Sequence, residues 1–375
     1  MSRSRKRQSA LRLVGHFAVA ALLAMFVPGC SGNFQFSSQT PPPTPGSDLF
    51  LVANLSGDVA GYSSASGQLI PIAGSAVSFA SILDGFAADP GGTIAVGISR
   101  TALAPSTLQA ASIGAGGQFT IEGGTTTFTN ATGIAISSQG IIAVLAPNGP
   151  TVQLFIVQDG QFVAGASAVA GVFAQDMAFS SNGSFLYVGD GGTGIISVLG
   201  VSSSSSLELV GTAQMPVALG ELTPHLVRVR LDSAGDKIAA ITQDGRVFVA
   251  TVNPATGLIS NAAEAHATGA VNLEALAFDQ SGVTLYSADL NNGGIYEFSL
   301  AGGSPQPLAG SPVATPVGPV DMVSDSIGNF VYVVFHSSEV STYSRNPQSG
   351  ALVATGQSVP SGGELGFRIV RVPAH

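Results

Sequence analysis

One glycine recurs along this chain at an interval that only a repeat architecture explains. Gly92, Gly140, Gly183, Gly235, Gly282 and Gly328 each close a polar turn, at spacings of 48, 43, 52, 47 and 46 residues. The clearest copies are Phe179-Ser180-Ser181-Asn182-Gly183-Ser184-Phe185-Leu186-Tyr187-Val188 and Phe278-Asp279-Gln280-Ser281-Gly282-Val283-Thr284-Leu285-Tyr286-Ser287, followed by Ser324-Asp325-Ser326-Ile327-Gly328-Asn329-Phe330-Val331-Tyr332-Val333. Each unit has room for four short antiparallel strands joined by hairpins, and none carries the roughly 3.6-residue apolar period of a helix. Four-stranded units repeating at about 40–50 residues predict an all-β chain folded as a β-propeller.

The blade count follows from the chain ends. Six anchors lie inside the chain, whereas the first unit, opening at Asp48-Leu49-Phe50-Leu51-Val52-Ala53-Asn54, begins one strand late. The missing strand is supplied by Phe367-Arg368-Ile369-Val370-Arg371-Val372, which resembles the opening strand Leu226-Val227-Arg228-Val229-Arg230-Leu231. Pairing it into the first unit predicts seven four-stranded antiparallel blades and removes the open edges of the array. The second and third units are degenerate, so the anchors alone leave six or eight blades open.

The residues before the repeats read as an export signal. A basic start (Arg3, Arg5, Lys6, Arg7, Arg12) leads into the apolar run Leu13–Val27, then Pro28, Gly29 and Cys30, the only cysteine of the 375 residues. This fifteen-residue run ending in Pro-Gly falls short of the about 20 apolar residues that cross a bilayer. A small residue directly before a cysteine resembles the lipobox of bacterial lipoproteins. That resemblance implies a signal peptide over residues 1–29, cleavage before Cys30, palmitate-type acylation of its thiol, and anchoring to the lipid bilayer of the cell envelope, at the outer membrane where the host has one. Ser31 fits the sorting pattern for that membrane. Residues 31–46 contain no charge and four prolines and form, with Cys30, a tether of polyproline character ahead of a propeller domain at 47–375.

Charge narrows the partners. The first 29 residues carry five of the thirteen Lys and Arg, leaving eight against 22 Asp and Glu, a net of −14. With Lys237 as its single lysine after residue 29, the chain lacks the clustered cations that phosphate backbones require, so no nucleic-acid partner is expected. A protein or carbohydrate partner is compatible with this surface.

Propellers bind ligands where the innermost strands enter the central channel. Counting seven residues back from the anchors gives Asp176, Arg228 and Asp321, and eight back gives Asp84 and Glu274. Carboxylates and an arginine gathered there would suit a divalent metal in the channel or a hydroxylated ligand. The competing expectation is that they are rim residues or blade-to-blade hydrogen-bond partners. Gly189-Asp190-Gly191-Gly192-Thr193-Gly194 matches a dinucleotide-binding pattern, but a strand follows it where a helix is needed, so it reads as a hairpin turn.

The turn segments Ser64-Ala65-Ser66-Gly67-Gln68-Leu69, Asn253-Pro254-Ala255-Thr256-Gly257-Leu258 and Asn346-Pro347-Gln348-Ser349-Gly350-Ala351-Leu352, taken with the aromatic strands, resemble the lactonase-like propellers, the group of 6-phosphogluconolactonases and YVTN-repeat proteins. The Tyr-Val-Thr-Asn signature is replaced here by Tyr187-Val188-Gly189-Asp190 and Tyr286-Ser287-Ala288-Asp289. The resemblance implies a seven-bladed ring over residues 47–375 and points to lactone hydrolysis as one activity. His225, after Thr223-Pro224, is then the expected general base, with Arg228 and Glu274 as catalytic partners and Asp84, Asp176 and Asp321 as ligand-binding residues. Two functions stand side by side: a membrane-anchored extracytoplasmic propeller that binds a ligand or protein, and an extracytoplasmic hydrolase of sugar lactones.

Overall fold

The structure, a computed structural model, describes residues 47–79, 82–99, 105–128, 131–146, 151–217 and 222–374. The signal peptide, Cys30 and the tether lie outside the described residues. The described chain forms seven antiparallel sheets and no helix. Six sheets have four strands, and the first gains a fifth where Val77–Ser78 pairs with Asp58–Val59. The C-terminal strand Gly366–Pro373 pairs along Asp48–Asn54, so the first blade is completed from the far end of the chain and the ring of seven closes.

The inner strands are Gly366–Pro373 in blade 1, Leu83–Ala88 in blade 2, Gly133–Ile136 in blade 3, Ala174–Phe179 in blade 4, Leu226–Leu231 in blade 5, Leu273–Phe278 in blade 6 and Pro319–Ser324 in blade 7. Each of the last six starts at the entrance face and ends at an anchor turn. In every anchor turn the glycine donates its N–H to the carbonyl three residues earlier. Its φ lies between +66° and +80°, which residues with a Cβ rarely adopt. The residue at that earlier position caps the turn with its side chain: Asp89, Asp232, Asp279 and Asp325 each accept two backbone N–H groups from the residues just after the glycine. Ser137 and Ser180 fill the role in blades 3 and 4.

Apolar residues on alternate positions of each strand face opposite sides of its sheet. Leu49, Leu51 and Ala53 join a cluster shared with blade 2, while Phe50 and Val52 join one shared with blade 7. Seven such clusters occupy the seven gaps between adjacent blades. Tyrosines lock neighbours together: Tyr286 donates to the Gly350 carbonyl at 2.6 Å, and Tyr332 and Ser64 share a hydrogen bond of the same length.

The turns Ser64–Leu69, Asn253–Leu258 and Asn346–Leu352 are where one blade fits against the last. A Cβ on Gly67 would stand 2.3 Å from the Phe330 ring, one on Gly257 2.5 Å from Phe185, and one on Gly350 2.3 Å from the Thr284 hydroxyl, each on the preceding blade. The Gly189–Gly194 segment is the hairpin between Phe185–Asp190 and Ile195–Ser203, with Asp190 accepting from the amides of Gly192 and Thr193.

Gly350→Ala should combine left-handed strain of about 1–2 kcal/mol with overpacking of about 1–3 kcal/mol. Gly356→Ala, at a φ of +74° with open space around the new methyl, should incur the strain alone. Thermal melts of both variants check this. Equal losses would show that the contact between blades 6 and 7 is not tight at Gly350.

Candidate functional site: the central channel

Six of the seven inner strands carry a one-residue bulge near their start, between Leu83 and Gly85, Ala174 and Asp176, Leu226 and Arg228, Leu273 and Ala275, Pro319 and Asp321, and Gly366 and Arg368. A bulge re-aims the side chains beside it. Asp84 and Glu274 are bulge residues, whereas Asp176, Arg228, Asp321 and Arg368 come directly after one. The two offsets from the anchor glycines are therefore two positions of one repeated device at the entrance end of the channel.

The charges assembled there meet one another. Arg230 donates to Asp176 at 2.7 Å from Nη1 to Oδ2, and its Nη2 lies 3.6 Å from Asp321 Oδ1. Arg368 Nη1 reaches Asp321 Oδ2 at 3.5 Å. Arg228 donates to Glu274 Oε1 at 2.6 Å and to the Glu274 carbonyl at 3.0 Å. Asp176 also accepts from the Val229 amide at 3.0 Å, and Asp321 from the Ile369 amide at 3.1 Å. All of these contacts run between blades: 4 to 5, 5 to 6, 7 to 1, and 5 to 7 across the channel.

Environment separates the carboxyls. Burial drives Asp176 upward, but Arg230, Arg228 and Arg368 with the Val229 amide outweigh it and hold the group below the usual carboxylate range. Burial prevails at Glu274, where Arg228 only partly offsets it, and that carboxyl sits above its ordinary value. Burial also lowers the Arg368 guanidinium, with Arg228 and Arg230 as like charges nearby.

A cavity of about 380 Å³ begins at this layer and runs toward the anchor turns. Asp176, Arg230, Asp321 and Arg368 line its charged end, Ala87, Ala135 and Ala178 its narrow wall, and Ser233, Asp279 and Gln280 its far end. Of the residues singled out from sequence, Asp176 and Asp321 line this cavity. Arg228 and Glu274 form their pair outside its lining, Asp84 is half-buried in the inner strand of blade 2, and His225 is exposed in the connection leading to blade 5. His225 makes no hydrogen bond or ion pair to the described residues. Among the described residues no group of three or more His, Cys, Asp or Glu side chains is placed to hold a metal ion. Of the carboxylates nominated for a metal ring, Asp176, Glu274 and Asp321 are instead partnered by guanidinium groups.

Sequence reasoning passed over Arg230 and Arg368. Their signal was present: Arg228 and Arg230 stand two apart in an otherwise apolar strand and so share one face, and the closing strand repeats the arginine at the matching position.

No family model matches this chain, and no curated protein matches it. Solved structures share its fold. A candidate 6-phosphogluconolactonase of Bacteroides fragilis aligns with a TM-score of 0.73 at 14% identity, covering 89% of this chain and 100% of that one. The periplasmic gluconolactonase of Pseudomonas aeruginosa aligns at 0.70 with 16% identity, covering 88% and 99%. A Lactobacillus plantarum protein aligns at 0.69 with 13% identity, covering 87% and 99%. At these identities the likeness is one of fold alone, the seven-bladed β-propeller.

Asp176→Asn should destabilise the protein by about 3–5 kcal/mol at pH 7, because the half-buried Arg230 then keeps only its longer contact to Asp321 as an anionic partner. A carboxyl held low contributes stability above its unfolded value that is lost as pH falls through the folded one. The gap between variant and parent in urea denaturation should thus be flat from pH 7 to about 4 and close below it. A gap that closes already near pH 6 would contradict the pairing.

Proposed function

We propose that this chain is an exported lipoprotein, anchored by acylated Cys30, whose propeller binds a small hydroxylated molecule in the central channel. The channel cavity carries the reading. Its volume is in the range of small-ligand sites, and its charged end sets guanidinium donors beside carboxylate acceptors that balance one another. A balanced donor and acceptor set suits neutral hydroxyl groups, which both give and take hydrogen bonds, better than a free ion. The signal-like N-terminus and the proline-rich tether support export and anchoring. The periplasmic gluconolactonase of Pseudomonas aeruginosa, named for action on a sugar lactone, lends the sugar class its support.

Calorimetric titration of the mature chain with a panel of neutral sugars and aldonolactones tests the reading. Binding should disappear in Ala178→Phe, which fills the cavity and leaves every ion pair intact. Binding that survives this substitution would place the ligand elsewhere.

Lactone hydrolysis at the same channel is the second reading, and one observation favours it. Glu274 is a carboxyl raised by burial beside a guanidinium, an environment of the kind in which acid–base groups are found. Aldonolactone turnover above the spontaneous rate, lost in Glu274→Gln with sugar binding kept, is the outcome expected of a hydrolase. Parent protein that binds lactones without opening them would remove that reading and leave the first.

Anchoring is checked separately. Cys30→Ser should move the full chain from the membrane to the soluble fraction and abolish incorporation of labelled palmitate. An unchanged distribution would exclude the lipid anchor.

A further inference from the structure

Exposed apolar side chains are common on any protein surface, and single ones need no explanation. Here they are ordered by the fold. Among the described residues, the connections that feed the inner strands present a large apolar residue to solvent in six blades of seven: Ile82, Phe173, Leu222, Val271, Val317 and Leu365. Their exposure runs from 49% for Phe173 and Leu365 to 80% for Leu222. All six stand within four residues of the start of an inner strand, so they ring the entrance of the channel on one face.

Leu365 adds an independent observation. Its φ is +56°, a conformation that glycine or asparagine adopts at less cost than leucine. Strain kept at an exposed apolar residue is strain kept for the side chain.

Charge identifies what would cover this ring. Among the described residues of the entrance face, Glu339, Glu364 and Asp244 are exposed, while Arg228 and Arg246 are largely buried and paired with Glu274 and Asp244. No Lys or Arg is exposed there among the described residues. A second copy would bring acid against acid, and an anionic lipid surface would be repelled. The chain also enters the described domain at the opposite face, since Asp48 pairs with Pro373 at the anchor-turn end.

We propose that the entrance face is a docking surface for a basic, amphipathic polypeptide, with its apolar side chains on the ring and its Lys or Arg groups beside Glu339 and Glu364. This is independent of any ligand in the channel.

The probe is a fluorescein-labelled helical peptide of leucine and lysine, with a leucine and glutamate peptide of the same length as its counterpart, titrated against the mature chain by anisotropy. The basic peptide should bind and the acidic one should not. The variant Leu222→Ser/Val271→Ser/Val317→Ser should weaken binding more than about tenfold, given three contacts of this size. The opposite-face control Leu258→Ser/Val283→Ser/Ile327→Ser should leave it unchanged, and Glu339→Gln/Glu364→Gln should weaken it and flatten its salt dependence. Leu365→Gly should raise the melting temperature while weakening the peptide. Equal losses on both faces, or equal affinity for both peptides, would overturn the proposal. A dimer in sedimentation that the ring variant dissolves would overturn it in favour of a second copy. Ring-dependent flotation with phosphatidylglycerol vesicles would overturn it in favour of lipid.

Discussion

Each blade is apolar on both faces, and that constraint shapes the molecule. A sheet with one wet face can stop after a single packing partner, but here Leu49 and Phe50, neighbours in one strand, are buried against different blades. Every sheet therefore needs cover on two sides. An open array would leave its two end faces bare, while a ring leaves neither. Closure by Gly366–Pro373 is accordingly a requirement of the packing. It makes the last strand of the chain a structural partner of the first, and burial is spread over seven clusters in place of one central core.

The same geometry explains why charge collects in the channel. Inner strands converge and turn their inward residues toward one another, away from the apolar gaps. A charge placed at the bulge has little water around it and must find a partner on another blade. The arginines do so: Arg228 reaches Glu274, Arg230 reaches Asp176 and Asp321, and Arg368 reaches Asp321. Pairs of this kind add little net stability over apolar residues of similar size, but each is costly to break from one side. Their clearest consequence is register, since Asp176 and Asp321 also hold the Val229 and Ile369 amides of the next blade.

Much of this was legible in the sequence because turns and periodicity are local. The anchor glycines announce a left-handed turn position, the alternation announces strands buried on both faces, and the arginine shared by Leu226–Leu231 and the closing strand announces their equivalence. The spacing rule singled out Asp176 and Asp321, which line the cavity. It said nothing of which charges would pair, because Arg230 and Asp176 are 54 residues apart and meet only through ring geometry. His225 illustrates the same boundary. Its place ahead of an inner strand was readable, whereas its exposure depends on how the connection before it folds.

The two faces of the ring obey different demands. At the anchor turns, Asp or Ser must accept backbone N–H groups and glycine must take a positive φ, so the local sequence is committed to polar, turn-forming residues. At the entrance face the connections are held through main-chain amides, as where Asp190 accepts from Val172 and Phe173 and Asp289 from Val271. Their side chains are free to vary with little effect on the fold, and yet they carry bulky apolar residues, one of them in a strained conformation. Residues that the fold does not require, repeated where the fold would accept polar ones, are best explained by contact with something outside the chain. The channel and the entrance ring are thus separable: one is built from charges that the ring must satisfy internally, the other from side chains that the ring leaves unsatisfied.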